Sequence, residues 1–403
     1  MATQFPRFIR LSLIGILTLL IVLLLPNSAI YAANDTGSTT NWSQLGFNAS
    51  HTFYNPKETT ISTSNVSQLT MKWQNSVSGG TPVEVNNVLY TFSPSDGNEY
   101  AFNAISGQQV WSVHLEKPLQ SYSVSSNAVI TNTVYVSGEK ALYALNASTG
   151  ATIWKFGPKS YNQSDPVAAN GVVYIHGFSH THDLPELFAL KAATGKVIRQ
   201  YLGILETPTY INGILYADAI GKNQTGYASA IDAKTGAYLW QTSVPSGFAA
   251  PSVVNGMVYF STGDSQCKSG IVFALNAQTG TIVWQQSIGQ IKYCYTLNGP
   301  SVANNDVYAS VATSSSTTFY AFNAMTGTQI WKSSTTASTP NRLVAANGVL
   351  YSLGSDLSAF NAGTGVQLST ISTQSTIDSS TAPTVVNGMI FVMFDSGLNA
   401  FGL

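Results

Sequence analysis

Histidine and acidic side chains come closest together in one short stretch of the sequence. His180, His182 and Asp183 fall within four consecutive residues, and imidazole and carboxylate groups are ligands that suit a transition metal. A solvated surface loop is the favoured interpretation of the same residues. They are weak candidates for metal binding, and we expect no resident metal.

A second group of residues suggests binding to a partner rather than catalysis. Tyrosine combines an apolar ring with a polar hydroxyl, and such side chains are common where proteins contact one another. Packing of these rings over the ends of strands is the alternative explanation. The candidate tyrosines are Tyr122, Tyr161, Tyr293 and Tyr295, and Asp264 is expected on the same loop face.

The chain has two cysteines, Cys267 and Cys294. In an oxidising compartment, two cysteines pair by default. A bridge that closes a loop of this size adds about 3 to 4 kcal/mol of stability in the chain-entropy model. We predict a disulfide, and two buried free thiols are the alternative.

Motifs and charge exclude several classes of protein. The sequence has no Gly-rich phosphate loop before a helix, no Gly-x-Ser-x-Gly and no His-Glu-x-x-His. A net charge of −1 over 403 residues gives no basic surface for nucleic acid. Only 9% of the residues are charged, so Ser, Thr and Asn must solvate much of the surface, as is typical of an extracytoplasmic β protein.

The N-terminus has the three parts of a secretory signal. Arg7 and Arg10 precede an apolar run at 11–25, and small residues follow as far as Ala33. As a helix this run would span about 22 Å, less than the roughly 30 Å of a bilayer core. We therefore predict a cleaved signal peptide at 1–32 and a secreted or cell-surface protein, which touches a membrane only if the signal is retained.

A short sequence motif recurs along most of the chain and indicates a structural repeat. One copy reads ALNASTG at 144–150 and is followed by Trp154. The glycines that end the seven copies are 38 to 47 residues apart, which is the length of one propeller blade. The repeat residues are Trp73, Trp111, Trp154, Trp240, Trp284 and Trp331, with Gly107, Gly150, Gly195, Gly236, Gly280, Gly327 and Gly365.

The inner hairpins give an independent count of blades. One inner hairpin turns at Asn255-Gly256, a typical hairpin signal. An aromatic residue near the end of the second strand marks eight such hairpins, from Tyr90 to Phe391. The last repeat stops at Leu403 before its outer strand, whereas residues 69–74 resemble an outer strand without a blade of its own. We predict an all-β, eight-bladed β-propeller of four-stranded antiparallel blades, whose ring is closed by this N-terminal outer strand.

The predicted organisation is a signal peptide at 1–32, a lead-in segment at 33–66 and the propeller at 67–403. If the closing strand holds the ring together, truncation through Trp73 destabilises the protein far more than deletion of residues 34–59.

The repeat resembles that of pyrroloquinoline quinone (PQQ) propellers, in which blades carry Ala-x-Asp/Asn-x-x-x-Gly-x-x-x-Trp. The likeness extends from Trp42 onward, and residues 41–46 and 65–69 resemble the lead-in of secreted members. The resemblance implies a WD40-like propeller in which the repeat tryptophans pack against the neighbouring blade. It also implies kinship in fold with quinoprotein alcohol dehydrogenases and with the lipoprotein propeller of the outer-membrane protein insertion machinery.

The fold does not determine the function, because enzymes and non-enzymes share it. Quinoprotein dehydrogenases carry adjacent cysteines over the cofactor and a calcium site, whereas Cys267 and Cys294 are far from adjacent. We expect no cofactor and no catalytic residues. The predicted function is an exported, monomeric scaffold that binds a protein or polysaccharide, but not nucleic acid, through one loop face. The alternatives are a short PQQ-dependent dehydrogenase with calcium and a surface protein whose ring only displays its N-terminal segment.

Overall fold

The structure is a computed structural model. It describes residues 41–118, 125–158, 164–179, 184–221, 226–245, 250–264, 266, 268–291, 297–313, 316–336, 342–354, 356–372 and 381–403. These residues form 33 strands and one short 3-10 helix, Val66–Gln68. None of the helical structure described is long and apolar enough to cross a membrane.

The first two strands, β1 (Tyr54–Asn55) and β2 (Thr70–Gln74), precede the blades. The remaining strands are listed here by blade, from the inner to the outer strand. Blade 1 contains β3 (Val83–Val85), β4 (Val88–Ser93), β5 (Asn98–Asn103) and β6 (Gln109–His114). Blade 2 contains β7 (Ala128–Ile130), β8 (Thr133–Ser137), β9 (Leu142–Asn146) and β10 (Thr152–Phe156). Blade 3 contains β11 (Val167–Ala169), β12 (Val172–Ser179), β13 (Leu184–Lys191) and β14 (Val197–Leu202). Blade 4 contains β15 (Thr209–Ile211), β16 (Ile214–Ile220), β17 (Gly226–Asp232) and β18 (Tyr238–Ser243).

The other four blades follow the same order. Blade 5 contains β19 (Ser252–Val254), β20 (Met257–Gly263), β21 (Ser269–Asn276) and β22 (Ile282–Gln290). Blade 6 contains β23 (Ser301–Ala303), β24 (Asp306–Ala312), β25 (Thr317–Asn323) and β26 (Gln329–Thr335). Blade 7 contains β27 (Val344–Ala346), β28 (Val349–Leu353), β29 (Asp356–Asn361) and β30 (Gln367–Ser372). Blade 8 contains β31 (Thr384–Val386), β32 (Met389–Phe394) and β33 (Gly397–Gly402), and β2 is its outer strand.

The ring closes as the repeat count predicts. Strand β2 pairs antiparallel with β33, and Trp73 lies opposite Ala400. Blade 8 therefore takes its outer strand from the N-terminal side of the chain and its other three strands from the C-terminal side. This pairing confirms the eight-bladed fold and covers the edge that β33 would otherwise expose.

Six repeat tryptophans each join one blade to the next. The Trp111 indole Nε1 donates to the backbone oxygen of Ala147 in blade 2 over 2.8 Å. Its ring also lies against Gly150, where a Cβ would come within 2.8 Å and where φ is +72°. Glycine is needed at this turn because it tolerates both the positive φ and the close ring. Equivalent contacts join Trp73 to Gly107, Trp154 to Gly195, Trp240 to Gly280, Trp284 to Gly327 and Trp331 to Gly365.

Blade 3 makes the same connection with a different side chain. It has Arg199 in place of tryptophan, and the Arg199 Nη2 donates to the backbone oxygen of Lys234 over 2.9 Å. The aliphatic part of Arg199 lies against Gly236. The long arginine stem thus replaces part of the lost aromatic packing.

The lead-in segment winds around the inside of the ring. Trp42 and Phe53 are fully buried, and the backbone from Trp42 to Phe53 bonds the middle residue of the inner strand in six of the eight blades. Trp42 exchanges two backbone hydrogen bonds with Glu84 of blade 1. The backbone N–H groups of Val129, Tyr210, Val253, Val302 and Ala345 donate to the carbonyl oxygens of Ser43, Ala49, Ser50, Thr52 and Phe53.

Side chains complete the circle in the two remaining blades. The Gln44 amide bonds both the N–H and the carbonyl of Ala168 in blade 3. The Asn55 Nδ2 donates to the carbonyl of Val385 in blade 8 over 2.8 Å. The segment therefore satisfies the free inner edges of all eight sheets, whose polar backbone groups would otherwise lack partners.

This arrangement changes two expectations about the lead-in segment. Residues 41–55 are held inside the ring, so they are not displayed by it, and that alternative is wrong for this stretch. The second is the expectation that deletion of residues 34–59 destabilises the protein far less than truncation through Trp73. It stays a prediction, but the contacts of residues 41–55 raise the expected cost of the deletion. No repeat signal marks residues 41–55, and for this reason the sequence did not reveal their role.

Candidate functional site

Nine of the ten residues predicted for binding, metal coordination or the disulfide lie outside the described residues. They are His180, His182, Asp183, Tyr122, Tyr161, Tyr293, Tyr295, Cys267 and Cys294. The predicted disulfide, the weak metal candidates and the tyrosine surface therefore stay predictions.

Asp264 is described, and it organises a loop. Its carboxylate accepts hydrogen bonds from the backbone N–H groups of Gln266, Lys268 and Ser269, at 2.8 to 3.1 Å. These bonds stabilise the connection between β20 and β21, as aspartate does in tight turns. Among the residues with described positions, no cluster of three or more His, Cys, Asp or Glu side chains could hold a metal.

The ring has two different faces. The loop face carries the connections between second and third strands and the links from one blade to the next. The turn face carries the inner hairpins and the turns between third and outer strands. The lead-in segment runs around the channel along the inner strands and contacts the inner hairpins of blades 5 and 6 on the turn face.

A charged cluster lies in the channel on the side of the loop face. Arg342 and Asp165 each lie two residues before an inner strand, in blades 7 and 3 respectively. These blades are opposite each other in an eight-membered ring, so the two charges face one another across the channel. Glu206, in the link that precedes blade 4, is the third member of the cluster, and Arg342 interacts electrostatically with both carboxylates.

The guanidinium group of Arg342 is held over the lead-in segment. Its central carbon is 5.2 Å from the centre of the Phe53 ring, within the range of a cation–π contact. Its Nε and Nη1 atoms are buried and have no hydrogen-bond partner in the described part of the chain. Burial lowers the pKa of Arg342, and Asp165 and Glu206 act to raise it, but a group that ordinarily titrates above 12 stays charged at neutral pH.

The acidic members of the cluster are partly desolvated. Burial raises the pKa of Asp165. Arg342 and a 2.6 Å hydrogen bond from the Ser126 N–H oppose this rise because they stabilise the carboxylate. Glu206 is exposed to solvent at the mouth of the channel, yet the surrounding protein still raises the pKa of its carboxyl, with Arg342 opposing the shift.

The imidazole of His51 is a buried, neutral group near Arg342. Burial, and to a smaller extent the nearby Arg342, lowers the pKa of His51 to about 3. Its Nδ1 lies 3.0 Å from the Thr209 hydroxyl. At neutral pH the described cluster therefore consists of one guanidinium, two carboxyl groups and an uncharged imidazole.

This donor set does not fit the cofactor of the resembling dehydrogenases. PQQ carries three carboxylates, whereas the single guanidinium of the described channel already faces two. Calcium needs six to eight oxygen ligands, and Asp165 and Glu206 belong to no metal-binding group among the described residues. We derive no reaction through this cofactor, and the expectation that none binds stays a prediction.

The turn repeat does not mark this cluster, but the links between blades do. In the other six blades the position two residues before the inner strand holds a small or hydroxyl side chain. Those residues are Thr81, Ser126, Thr207, Ala250, Gly299 and Ala382. Alignment of the links, rather than of the turns, shows that Asp165 and Arg342 depart from the repeat.

The sheet topology and the occupied channel define the class of this protein as an eight-bladed propeller of the PQQ-like type. A family model described as outer membrane protein assembly factor BamB matches residues 95–206, 202–287 and 268–403. The chain belongs to this family.

Curated relatives match parts of the chain. A tetrathionate hydrolase of Acidithiobacillus ferrooxidans is 29% identical over 213 residues, which are 45% of this chain and 41% of that protein. The assembly factor BamB of Yersinia pestis is 28% identical over 185 residues, or 40% of this chain and 45% of the relative. BamB of Salmonella typhimurium is 35% identical over 117 residues, or 25% and 30% respectively. The chain thus spans less than half the length of these relatives.

Solved structures share the fold at low identity. A quinohemoprotein alcohol dehydrogenase from Comamonas testosteroni superposes with a TM-score of 0.70 at 14% identity, over 91% of this chain and 81% of the other. BamB from Moraxella catarrhalis superposes with a TM-score of 0.66 at 17% identity, over 83% and 98%. Since one is an enzyme and the other an assembly factor, these likenesses establish the architecture alone.

Proposed function

We propose that this chain is an exported, non-catalytic propeller that binds a protein or polysaccharide partner through its loop face. The occupied channel is the observation that carries the proposal. A segment hydrogen-bonded to every blade makes the ring a rigid platform, and rigid scaffolds commonly position the loops that bind partners.

The family adds independent support for a partner outside the cytoplasm. Its model and two of the curated relatives are named outer membrane protein assembly factors. By analogy, the partner proposed here is more readily a protein of the cell envelope than a small substrate. The N-terminal signal inferred from the sequence supports the same location.

Among the described residues, Arg342 is the one that we propose contacts the partner. It lies on the loop-face side of the channel and keeps two buried nitrogen atoms without a protein hydrogen-bond partner in the described part of the chain. Arginine is enriched at protein interfaces because its planar group can donate several hydrogen bonds at once.

The test is affinity capture of envelope proteins and polysaccharide from the source cell with the purified protein. We expect a specific partner that is lost with Arg342→Gln, and also with Tyr293→Ala combined with Tyr295→Ala. The control is Ser112→Ala, an exposed residue of β6. Thermal unfolding shows that each variant is folded. Equal recovery of the partner by all variants contradicts recognition at the loop face.

An enzymatic function is the second candidate, because one curated relative is named a tetrathionate hydrolase. The purified protein should be tested for tetrathionate consumption, and for dye-linked alcohol oxidation after addition of PQQ and calcium. We expect no turnover above that of a heat-denatured sample. Turnover in either assay contradicts the non-catalytic proposal, and the substrate consumed identifies the enzyme class.

A further inference from the structure

A cavity on the turn face is separate from the charged cluster. It has a volume of about 340 Å³ and lies between the lead-in segment and the inner hairpins of blades 5 and 6. Small-molecule pockets are typically about 300 to 1,000 Å³, so this volume accommodates a small ligand unit. The cavity opens away from the loop face and is independent of the partner site proposed above.

The lining of this cavity is electrically neutral. None of its lining residues is Asp, Glu, His, Lys or Arg. A charged ligand would lose hydration there without gaining a counter-charge, which is costly. The lining instead combines amides and hydroxyls with apolar surface from Tyr54, Pro56 and Met325. A fitting ligand is therefore uncharged and has both hydroxyl groups and apolar faces.

Two of the amides are oriented by the protein. The Asn304 Oδ1 accepts a 3.0 Å hydrogen bond from the Tyr54 hydroxyl, which fixes the tyrosine against the hairpin of blade 6. The Asn48 Oδ1 accepts the Ser50 N–H at 3.0 Å and also the Ser50 hydroxyl. Because the oxygens are engaged, each amide keeps its NH₂ group as a donor for a ligand.

We infer that this cavity binds a neutral saccharide unit. The amides of Asn48 and Asn304 donate to sugar hydroxyls, and Tyr54 and Met325 cover an apolar C–H face of the ring. A neutral sugar presents these two kinds of surface side by side, whereas a charged sugar or a charged peptide does not suit an uncharged lining.

The test is binding of uncharged oligosaccharides to the purified protein, measured by calorimetry and by saturation-transfer NMR. The probes are glucose-, mannose- and N-acetylglucosamine-containing hexasaccharides. We expect saturable binding of at least one probe, and a dissociation constant roughly fivefold higher in Met325→Ala, because part of the apolar contact is removed. Absence of saturable binding across the panel overturns the inference.

The repeat offers a matched control for this variant. Ile105 occupies in blade 1 the turn position that Met325 occupies in blade 6, and both side chains are exposed, at 66% and 61%. Ile105→Ala should leave saccharide binding unchanged, and an equal loss in both variants overturns the assignment to this cavity. Tyr54→Phe should also weaken binding, since it frees Asn304 to rotate. Arg342→Gln should not affect it, so failure of the loop-face proposal remains distinguishable.

Discussion

A contact between tryptophan and glycine is repeated at six of the eight blade junctions. At the junction of blades 5 and 6, the Trp284 indole Nε1 donates to the Ala324 carbonyl over 2.8 Å. The ring packs on Gly327, whose φ is +70°. The motif seen in the sequence therefore encodes contacts between successive blades, in addition to a turn within each blade.

Gly327→Ala should destabilise the protein. The new Cβ would lie 2.7 Å from Trp284, and an L residue in this left-handed conformation costs about 1 to 2 kcal/mol. We expect a loss of roughly 1 to 3 kcal/mol in the free energy of unfolding, measured by urea denaturation.

Gly363→Ala is the control for this substitution, because it lies in the same kind of turn in blade 7. Its Cβ would meet only the Asn361 side chain, at 3.5 Å, and its φ is not positive. Similar losses in the two variants would contradict the explanation from φ and close packing.

His51→Gln should make stability less sensitive to acid. The pKa of His51 is lowered to about 3 by burial, whereas in the unfolded chain it is near 6.5. The unfolded state therefore binds the proton first, and the native state loses stability as the pH falls from about 6.5 to 3. Urea denaturation across this range should show a shallower pH dependence in His51→Gln than in the wild type, and an unchanged slope would contradict the assignment to His51.

Glu84 changes the pH dependence of stability in the opposite direction to His51, so the same titration reports on both groups. Burial raises its pKa to about 7, against the stabilising hydrogen bond from the Asn87 N–H. Its native state binds a proton before the unfolded state does, so its contribution to stability falls as the pH rises through about 4.5 to 7. A double variant with Glu84→Gln separates the two contributions.

At the scale of elements, two N-terminal segments hold the ring in different ways. Strand β2 covers the outer edge of blade 8, and residues 42–55 bond the inner edges of all eight blades. The first segment has a repeat tryptophan and is visible in the sequence. The second has no repeat, since one chain passes each blade only once.

Deletion of residues 34–59 should destabilise the ring severely, and truncation through Trp73 should cost still more because it removes the same segment together with β2. The deletion leaves polar groups of the inner strands unpaired and removes the buried side chains of Trp42 and Phe53, each a loss of several kcal/mol. Thermal unfolding of both variants tests this expectation. A deletion variant that melts at the wild-type temperature would show that the inner segment contributes little.

For the whole molecule, the inner segment should make unfolding cooperative. Repeat proteins whose units contact only their neighbours can unfold in parts, but here one segment links all eight blades. We expect the wild type to melt in a single calorimetric transition with equal van't Hoff and calorimetric enthalpies. Several transitions in the wild type would contradict this view.

The sequence by itself determined the propeller, the number of blades and the closing strand. These features depend on local patterns, namely the Asn-x-x-x-Gly turn, the inner hairpin and Trp73, each of which acts within one blade or between neighbours. Asp264 was also found from the sequence, but its hydrogen bonds show that it shapes a loop.

Only the tertiary structure decided what occupies the channel. Arg342 and Asp165 are far apart in the sequence and face each other only because closure places blades 3 and 7 on opposite sides. The cavity beside Tyr54 and Asn304 forms in the same way, between the lead-in segment and blades that follow it by about two hundred residues or more. The links mark Asp165 and Arg342 as departures from the repeat, but only closing the ring around a segment brings such residues together.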